Sequence, residues 1–217
     1  MKAMILAAGL GTRMRPLTNH TPKPLLKIGG KPLIVWHIER LRDAGFTQIV
    51  INVAYLGQQI IDYLGDDSKL GVQIEFSDEQ NEGALETAGG VVKALPLLSE
   101  TFLVVNGDVW TDYPFDSSYS LEDGLLAKLI LVKNPEHNLE GDFFLTGTQE
   151  KYTFSGIGYY SKEMFKGLEY GKQPLAPLLF QLIEKKKLVT ELYEGRWYDI
   201  GTPERLMSLD KLLKIDA

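Results

Sequence analysis

Short apolar runs alternate with amphipathic stretches along most of this chain, and this alternation constrains the fold more strongly than any other feature. Lys2–Ala7 and Phe102–Asn106 are apolar almost throughout, which is typical of strands buried on both faces. Segments such as Pro32–Ala44 instead carry apolar residues at helical spacing. Strands separated by helices need crossover connections, so we predict an α/β fold with a mostly parallel mixed sheet flanked by helices.

The same patterns give approximate bounds for each element. The predicted strands are Lys2–Ala7, Gln48–Asn52, Val72–Ser77, Phe102–Asn106, Leu129–Val132, Tyr152–Tyr160 and Leu188–Leu192. The predicted helices are Pro32–Ala44, Gly57–Leu64, Glu86–Leu95, Leu175–Lys186 and Pro203–Leu213. Ligands of such sheets bind beyond the carboxyl ends of the strands, which nominates Ala8–Arg15 and Asn106–Asp108.

The chain has 217 residues, enough for one large domain or two small ones. It contains no linker, internal repeat or low-complexity tract. The segment 133–155 differs from the rest, because it is polar and irregular between predicted strands. We therefore expect a single domain over residues 1–217, with an inserted lobe at about 133–155.

Composition excludes several classes of function. The 23 basic and 29 acidic residues give a net charge of −6, which argues against nucleic acid or an anionic membrane as partner. The absence of cysteine excludes disulfides, thiol nucleophiles and thiolate metal sites. No apolar run approaches the ~20 residues of a membrane span, and the N-terminus lacks the pattern of a signal peptide. We expect a soluble cytoplasmic protein.

The loop after the first strand is rich in glycine and arginine. Gly9 and Gly11 allow backbone amides to close on a phosphate, and Arg13 and Arg15 add positive charge. The dinucleotide-binding pattern fails because Met14 stands where a third glycine is needed, and the G-K-[ST] ending of a P-loop is absent. On these residues alone, the loop is either a phosphate loop of another type or a tight turn with solvated arginines.

Three further motifs give this loop a family context. Thr21–Leu25 (T-P-K-P-L) follows L-A-A-G-x-G-T-R-M-x-P-L-T, Gly107-Asp108 follows a buried strand, and Trp197–Thr202 reads W-Y-D-I-G-T. Together these motifs resemble the signature of the sugar-1-phosphate nucleotidyltransferases, in the right order over residues 4–205. The resemblance implies a Rossmann-like fold in which the insertion binds a sugar, and Mg²⁺-dependent nucleotidyl transfer.

The resemblance also implies roles for single residues. Arg13 and the amides around Gly11 and Thr12 would hold the β and γ phosphates, and Lys23 would bridge the α-phosphate and the incoming sugar phosphate. Asp108 and Asp199 would bind Mg²⁺, since Mg²⁺ prefers a few carboxylates plus water and phosphate oxygens. Arg13, Lys23, Asp108 and Asp199 are thus the predicted catalytic residues. The rest of the predicted nucleotide loop is Leu6, Ala7, Ala8, Gly9, Gly11 and Thr12.

The base is expected to meet the region from Phe76 to Gly90. Glu79 can accept a hydrogen bond from N3–H of uracil, or from N1–H and N2–H of guanine, so the residue type leaves the base open. A solvated acidic loop is the alternative for Glu79. Gly89 is predicted to permit close approach of the base or the ribose.

The sugar side departs from the pattern of many relatives. It reads E-G-D-F at 140–143 and T-F-S-G-I at 153–157, and the predicted sugar-binding residues are Asn106, Gly141, Asp142, Ser155 and Gly156. This combination is most similar to the N-acetylmuramate-1-phosphate uridylyltransferases of peptidoglycan recycling. That likeness implies UTP and N-acetyl-α-muramate 1-phosphate as substrates. We also expect no nucleic-acid or membrane partner, and a monomer or loose dimer.

Three other functions stay open at this point. A mannose- or heptose-1-phosphate guanylyltransferase is the first alternative, because L-x-T-A-G-G at 85–90 resembles its base loop. A phosphocholine cytidylyltransferase resembles the N-terminal half, but no aromatic cage for choline can be placed. A non-catalytic nucleotide-sugar sensor is the third, although a pure binder has no need for all four predicted catalytic residues.

Overall fold

A mixed β-sheet forms the centre of the structure, a computed structural model that describes residues 1–65 and 69–215. Seven strands lie side by side in the order β11 (Leu188–Tyr193), β8 (Ala127–Val132), β10 (Lys151–Ser161), β6 (Thr101–Asn106), β1 (Lys2–Leu6), β4 (Gln48–Val53) and β5 (Gln73–Asp78). Strand β9 (Phe143–Phe144) pairs with β10 at one side. The pairs β1–β4, β1–β6, β4–β5 and β8–β11 are parallel, whereas β10 runs antiparallel to β6, β8 and β9. The predicted α/β fold with a mostly parallel mixed sheet is confirmed.

The elements match the sequence pattern closely. The strands are β1 Lys2–Leu6, β2 Lys27–Ile28, β3 Lys31–Pro32, β4 Gln48–Val53, β5 Gln73–Asp78, β6 Thr101–Asn106, β7 Val109–Thr111, β8 Ala127–Val132, β9 Phe143–Phe144, β10 Lys151–Ser161, β11 Leu188–Tyr193 and β12 Trp197–Asp199. The helices are α1 Leu33–Asp43, α2 Gly57–Leu64, α3 Glu86–Ala94, α4 Ala176–Glu184 and α5 Pro203–Ile215. Short 3₁₀ turns supplement them, including Thr12–Met14 and Lys23–Leu25.

Helices cover both faces of the sheet because alternate residues of each strand point to opposite sides. Ala3 and Ile5 of β1 belong to one buried apolar cluster, together with the inward faces of α1 and α2. Met4, between them, belongs to a second cluster with α3 and α4. Strands buried on both faces read as continuous apolar runs, which explains the pattern in the sequence.

A two-stranded antiparallel ribbon lies outside the main sheet. In it β7 and β12 pair through Val109 with Asp199, Trp110 with Tyr198 and Thr111 with Trp197. Trp110 is buried and belongs to a third apolar cluster beneath α5, with Leu209 and Leu213. This ribbon ties the region after β6 to the last segment of the chain.

The predicted insertion is the irregular segment between β8 and β10. Because β10 begins at Lys151, this segment covers 133–150, and the last five predicted residues of the lobe belong to a strand. Strand β9 lies in the segment and pairs with the start of β10. The β10–β8 register shifts between Phe154 and Ile157, so a bulge lies at Ser155 and Gly156. Within the described residues, no helix combines the length and the apolar composition that crossing a bilayer requires.

Candidate active site

A cavity of about 410 Å³ opens at the carboxyl ends of four parallel strands. Strands β1, β4, β5 and β6 end there, so the cavity lies at the edge where an open α/β sheet is expected to bind its ligand. Its walls come from the glycine-rich loop, the P-K-P turn, the start of α3 and the Gly107-Asp108 turn. The lining residues are Leu6, Ala7, Ala8, Gly9, Leu10, Gly11, Thr12, Arg13, Met14, Lys23, Pro24, Asn52, Glu79, Ala84, Glu86, Thr87, Asn106, Gly107, Asp108 and Gly201.

The glycine-rich loop is held in a defined turn. Gly11 has φ 62 and ψ 26, the left-handed region, immediately before the 3₁₀ turn Thr12–Met14. Its carbonyl accepts hydrogen bonds from Met14 N at 2.9 Å and from Thr18 Oγ1 at 2.7 Å. A Cβ at Gly11 would lie 3.0 Å from Thr18 Cγ2. Arg13 is exposed at the cavity wall, so its guanidinium is available to an anionic ligand.

A buried chain of hydrogen bonds supports the floor of this cavity. Asn52, at the end of β4, accepts from Ala7 N through Oδ1 at 2.8 Å. Its Nδ2 donates to Glu79 Oε1 at 2.8 Å, and Leu85 N donates to Glu79 Oε2 at 2.9 Å. These hydrogen bonds therefore join the glycine-rich loop to the segment that leads into α3.

Glu79 differs in role from the sequence prediction. It lines the cavity, but its side chain is 0% exposed, and both carboxylate oxygens already accept hydrogen bonds within the protein. A carboxylate engaged in this way serves first to hold Asn52 and the Leu85 amide. The geometry therefore makes Glu79 a support of the nucleotide loop rather than a free reader of the base.

Gly89 is not part of the cavity wall. A Cβ at Gly89 would lie 2.2 Å from the carbonyl oxygen of Gly171, and Gly89 N donates to Gln173 O at 3.1 Å. The missing side chain thus makes room for the loop before α4. A contact of Gly89 with base or ribose stays a prediction.

The loop between β5 and α3 is also tied down at its outer edge. Glu82 accepts a hydrogen bond from Lys93 Nζ at 2.7 Å and another from the hydroxyl of Tyr170. The Lys93 bond, followed by the Tyr170 bond, lowers the pKa of Glu82. Lys93 belongs to α3 and Tyr170 to the loop before α4, so this exposed carboxylate links three segments around the site.

Lys23 and Asp108 form an ion pair inside the cavity. Lys23 Nζ lies 2.9 Å from Asp108 Oδ2, although the two residues are 85 positions apart. Pro22 and Pro24 flank the lysine and fix the backbone of the 3₁₀ turn Lys23–Leu25. The Lys23 side chain is only 11% exposed, so its charge is concentrated on the cavity.

The two predicted metal-binding carboxylates are brought together by the β7–β12 ribbon. Asp199 stands opposite Val109, and Ile200 N donates to the carbonyl of Asp108 at 3.0 Å. Asp199 Oδ2 also accepts from Arg205 Nη1 and lies 3.1 Å from His137 Nε2. Each carboxylate is therefore paired with a cationic or polar nitrogen of the chain itself.

The donor set at this position fits Mg²⁺. Asp108, in the turn before β7, and Asp199, on β12, would supply hard oxygen atoms, and Mg²⁺ takes its remaining ligands from water and substrate phosphates. No group of three or more His, Cys, Asp or Glu side chains in metal-binding arrangement occurs within residues 1–65 and 69–215.

A second cavity, of about 740 Å³, adjoins the first. Glu86, Thr87 and Asn106 line both cavities. The remaining lining residues are Gly141, Asp142, Phe143, Phe154, Pro174, Leu175, Ala176, Leu179 and Phe180. Asn106, a predicted sugar-binding residue, lies at the junction of the two cavities.

The other predicted sugar residues divide into lining and support. Asp142 lines the second cavity, but Oδ1 accepts from Asn138 Nδ2 at 3.1 Å and Oδ2 from Phe154 N at 2.8 Å. Gly141 also lines this cavity, yet a Cβ there would lie 2.9 Å from Asn134 Oδ1 and the β10 backbone. The space beside Gly141 is therefore filled by protein, although Gly141 itself lines the cavity.

Ser155 and Gly156 occupy the bulge in β10. The Ser155 side chain is buried, donating to Ile130 O at 2.6 Å and accepting from Ile157 N at 3.2 Å. Its hydroxyl is thus engaged within the protein, and a sugar contact of Ser155 stays a prediction. Gly156 has φ 79, and a Cβ there would lie 2.6 Å from Asn106 Nδ2. Gly156 thus acts by allowing Asn106 to lie against the bulge.

One buried histidine lies behind the reactive end of the site. His37 on α1 is 2% exposed, and its Nε2 has no hydrogen-bond partner. Burial lowers its pKa from 6.5 to about 4, against the opposing effects of a Val109 backbone bond and the Asp108 charge. This shift favours the neutral form of His37 at physiological pH.

Two residues of this region, Asn52 and Arg205, were not predicted from the sequence, and Glu86 and Thr87 were predicted only as part of the region from Phe76 to Gly90. Asn52 carried a usable signal, because it is the polar residue that ends the apolar strand Q-I-V-I-N. Glu86 has φ 60, which is unusual for a residue with a side chain and has no signature in a single sequence. His137 and Arg205 are brought to Asp199 only by the tertiary fold.

Comparisons with known proteins agree with this geometry. A family model described as nucleotidyl transferase matches residues 2–123. N-acetylmuramate alpha-1-phosphate uridylyltransferase of Neisseria meningitidis is 51% identical over 227 residues, covering 98% of each chain. Probable mannose-1-phosphate guanylyltransferase 3 of rice is 31% identical over 244 residues, covering 100% of this chain and 67% of the relative.

Solved structures show the same fold. A putative glucose-1-phosphate thymidylyltransferase from Bacillus anthracis superposes with a TM-score of 0.84 at 21% identity, covering 99% of this chain and 95% of the other. The CTP:phosphocholine cytidylyltransferase of Streptococcus pneumoniae gives 0.76 at 25% identity, covering 98% and 99%. The family model and the 51% identical uridylyltransferase together show that the chain belongs to the sugar-1-phosphate nucleotidyltransferases of the nucleotidyl transferase family.

Proposed function

We propose that this protein transfers the uridylyl group of UTP to N-acetyl-α-muramate 1-phosphate, giving UDP-N-acetylmuramate and pyrophosphate. The observation that carries the proposal is the 51% identity to a uridylyltransferase of that specificity over 98% of both chains. The arrangement of Arg13, Lys23, Asp108 and Asp199 supports the chemistry. In this proposal Mg²⁺ is the cofactor, and the enzyme works in the cytoplasm in peptidoglycan recycling, as a monomer or loose dimer.

Charge neutralisation is the main task of such a site. A nucleoside triphosphate carries about four negative charges and a sugar phosphate about two, and each unit pair at 4 Å repels by about 4 kcal/mol at an effective dielectric of 20. Arg13 lies at the glycine-rich loop, where it would hold the β and γ phosphates. Lys23, which lines the same cavity, would bridge the α-phosphate and the sugar phosphate.

The reaction needs positioning more than proton transfer. An oxygen of the sugar phosphate attacks the α-phosphorus in line, a new P–O bond forms, and the bond to the bridging oxygen of pyrophosphate breaks. A phosphate monoester has its second pKa near 6, so the attacking oxygen is already ionised at pH 7 and no general base is required. Mg²⁺ held by Asp108 and Asp199 would neutralise charge on the phosphates.

Pyrophosphate release tests this proposal directly. The purified protein is given Mg²⁺, with UTP, GTP, CTP or dTTP crossed against the 1-phosphates of N-acetylmuramate, N-acetylglucosamine, glucose, mannose and heptose. The expected result is the highest kcat/KM for UTP with N-acetylmuramate 1-phosphate. The Asp108→Ala variant is expected to lose turnover, and an unchanged rate would remove Asp108 from the reaction.

A guanylyltransferase is the second candidate, because the rice relative matches over the whole of this chain. A preference for GTP with mannose or heptose phosphate would favour it and overturn the uridylyl proposal. Tight nucleotide binding without turnover of any pair would instead indicate a sensor.

A further inference from the structure

The second cavity has two chemically different halves. Its inner half is polar, since Glu86, Thr87 and Asn106 lie at the junction with the nucleotide cavity. Its outer half is an apolar wall, defined here by Phe143, Phe154, Leu175, Leu179 and Phe180. An unsubstituted hexose carries hydroxyl groups around its ring and gains little from such a wall.

The wall is closely packed at its base and exposed at its edge. The Phe143 ring lies 6.1 Å from Phe154 and 5.5 Å from Phe180, measured between centroids. Leu179 is 2% exposed, whereas Phe180 is 51% exposed although it lines a cavity. A large aromatic surface left open beside a substrate cavity is typical of a ligand contact.

The size of the cavity points to a substituted sugar. It measures about 740 Å³, against about 410 Å³ for the adjoining cavity that takes the nucleotide. A hexose ring is smaller than a nucleoside triphosphate, so this volume leaves room for substituents on the ring. The sugar must also enter past Asn106, since its phosphate has to reach the Lys23–Asp108 region.

The charges of the cavity narrow the identity of the contacted group. Among the described lining residues there is no Lys, Arg or His, and the only charged side chains are Glu86 and Asp142. A carboxylate on the sugar would be repelled from this cavity, so a neutral apolar group must meet the wall. A methyl group on a short polar arm satisfies both the wall and the polar junction.

We propose that the apolar wall binds a methyl-bearing substituent of the sugar ring and thereby selects substituted hexosamine phosphates over plain hexose phosphates. This inference rests on the proposed function and identifies the part of the substrate that is read. In N-acetylmuramate the methyl belongs either to the acetamido group or to the lactyl ether. In either case the lactyl carboxylate is directed away from the wall, towards solvent.

The test compares Phe180→Ala with Ile183→Ala, a control on the same helix that is 41% exposed and does not line the cavity. For each variant, kcat/KM is measured with UTP and the 1-phosphates of glucose, N-acetylglucosamine and N-acetylmuramate. Phe180→Ala is expected to lose about tenfold with substituted sugars and to leave glucose unchanged, since one apolar contact discriminates by about this factor. Phe180→Leu, which keeps an apolar side chain, is expected to recover most of the loss.

The sugars with which kcat/KM falls show which methyl group contacts the wall, that of the acetamido group or that of the lactyl ether. A loss with both substituted sugars assigns the wall to the acetamido methyl, and a loss with N-acetylmuramate alone assigns it to the lactyl methyl. An equal loss with all three sugars, or no loss, would overturn the inference.

Calorimetric binding of UDP-glucose, UDP-N-acetylglucosamine and UDP-N-acetylmuramate tests the wall without turnover. The Phe180→Ala variant is expected to weaken binding of the substituted UDP-sugars alone, by about the same factor. If no sugar phosphate is turned over with UTP but this binding preference persists, the proposed function fails and the inference stands. Thermal unfolding of each variant excludes a loss that comes from misfolding.

Discussion

Asn52 Nδ2 donates to Glu79 Oε1 at 2.8 Å, so the ends of two neighbouring parallel strands are joined beneath the nucleotide cavity by a buried side-chain bond. Asn52 also accepts from Ala7 N at 2.8 Å, so one amide group holds two different loops. The position of the glycine-rich loop is thereby coupled to that of the segment before α3.

We expect Asn52→Leu to destabilise the protein and to weaken nucleotide binding. The change leaves Ala7 N–H and Glu79 Oε1 without partners in a buried site, at a cost of about 1–3 kcal/mol. Urea unfolding measures the stability, and KM for the nucleotide reports the loop. Gln48→Leu, at the start of the same strand, is the control, because its bond to Gln73 is exposed. If Asn52→Leu binds nucleotide with unchanged KM, the loop does not depend on this bond.

We expect Lys23→Met to lower kcat by about 10²–10³, since it removes a preorganised charge from the reacting phosphates. The fold should persist, because the lysine backbone is fixed by its two flanking prolines. Steady-state kinetics with UTP measures the effect. Lys27→Met is the matched control, because Lys27 is exposed on β2 and does not line the cavity. A kcat within threefold of the wild type would remove Lys23 from the reaction.

We expect Arg205→Met to tighten binding of a divalent ion. In the structure Arg205 Nη1 donates to Asp199 Oδ2, so the ion must compete with the guanidinium for this carboxylate. A partly exposed pair of this kind contributes up to about 1 kcal/mol, which corresponds to about a two- to fivefold lower Kd. Electron paramagnetic resonance of free Mn²⁺ gives the Kd without turnover. Lys211→Met, exposed on the same helix, should change nothing, and weaker binding in Arg205→Met would show that Arg205 positions Asp199 instead.

We expect His37 to make stability depend on acid pH. Burial lowers its pKa from 6.5 to about 4, so the unfolded state binds a proton between these values and the native state does not. The contribution of His37 to the free energy of unfolding is therefore complete above pH 6.5. This contribution, about 3 kcal/mol in all, is lost as the pH falls towards 4. Free energies of unfolding at pH 7.5 and 4.5 measure the loss. His37→Leu should reduce it, and the exposed-site variant His20→Gln should not.

The main elements were predictable because each one carries a local pattern. Strand β1 is a continuous apolar run, and α2 covers the predicted range Gly57–Leu64 because Ile60 and Leu64 recur at helical spacing. The β7–β12 ribbon was not predictable in this way. Its two strands have three residues each and belong to distant parts of the chain, so no periodicity marks them.

The meeting of Lys23 and Asp108 at the cavity was predictable from the family motifs that contain them. The surroundings of Gly89, Gly141 and Ser155 were not predictable, because a single sequence does not show what fills the space beside a glycine or where a hydroxyl points. In all three the neighbour is the protein's own backbone or side chains.

Strand β6 lies between two parts of the sheet that end at different cavities. On one side of it, β1, β4 and β5 end at the first cavity, and on the other, β10 and the segments around it line the second cavity. Asn106, at the end of β6, lines both cavities. Under the proposed function, substitutions around the second cavity can change the acceptor while leaving the donor chemistry intact, which makes the two halves of this sheet separately adaptable.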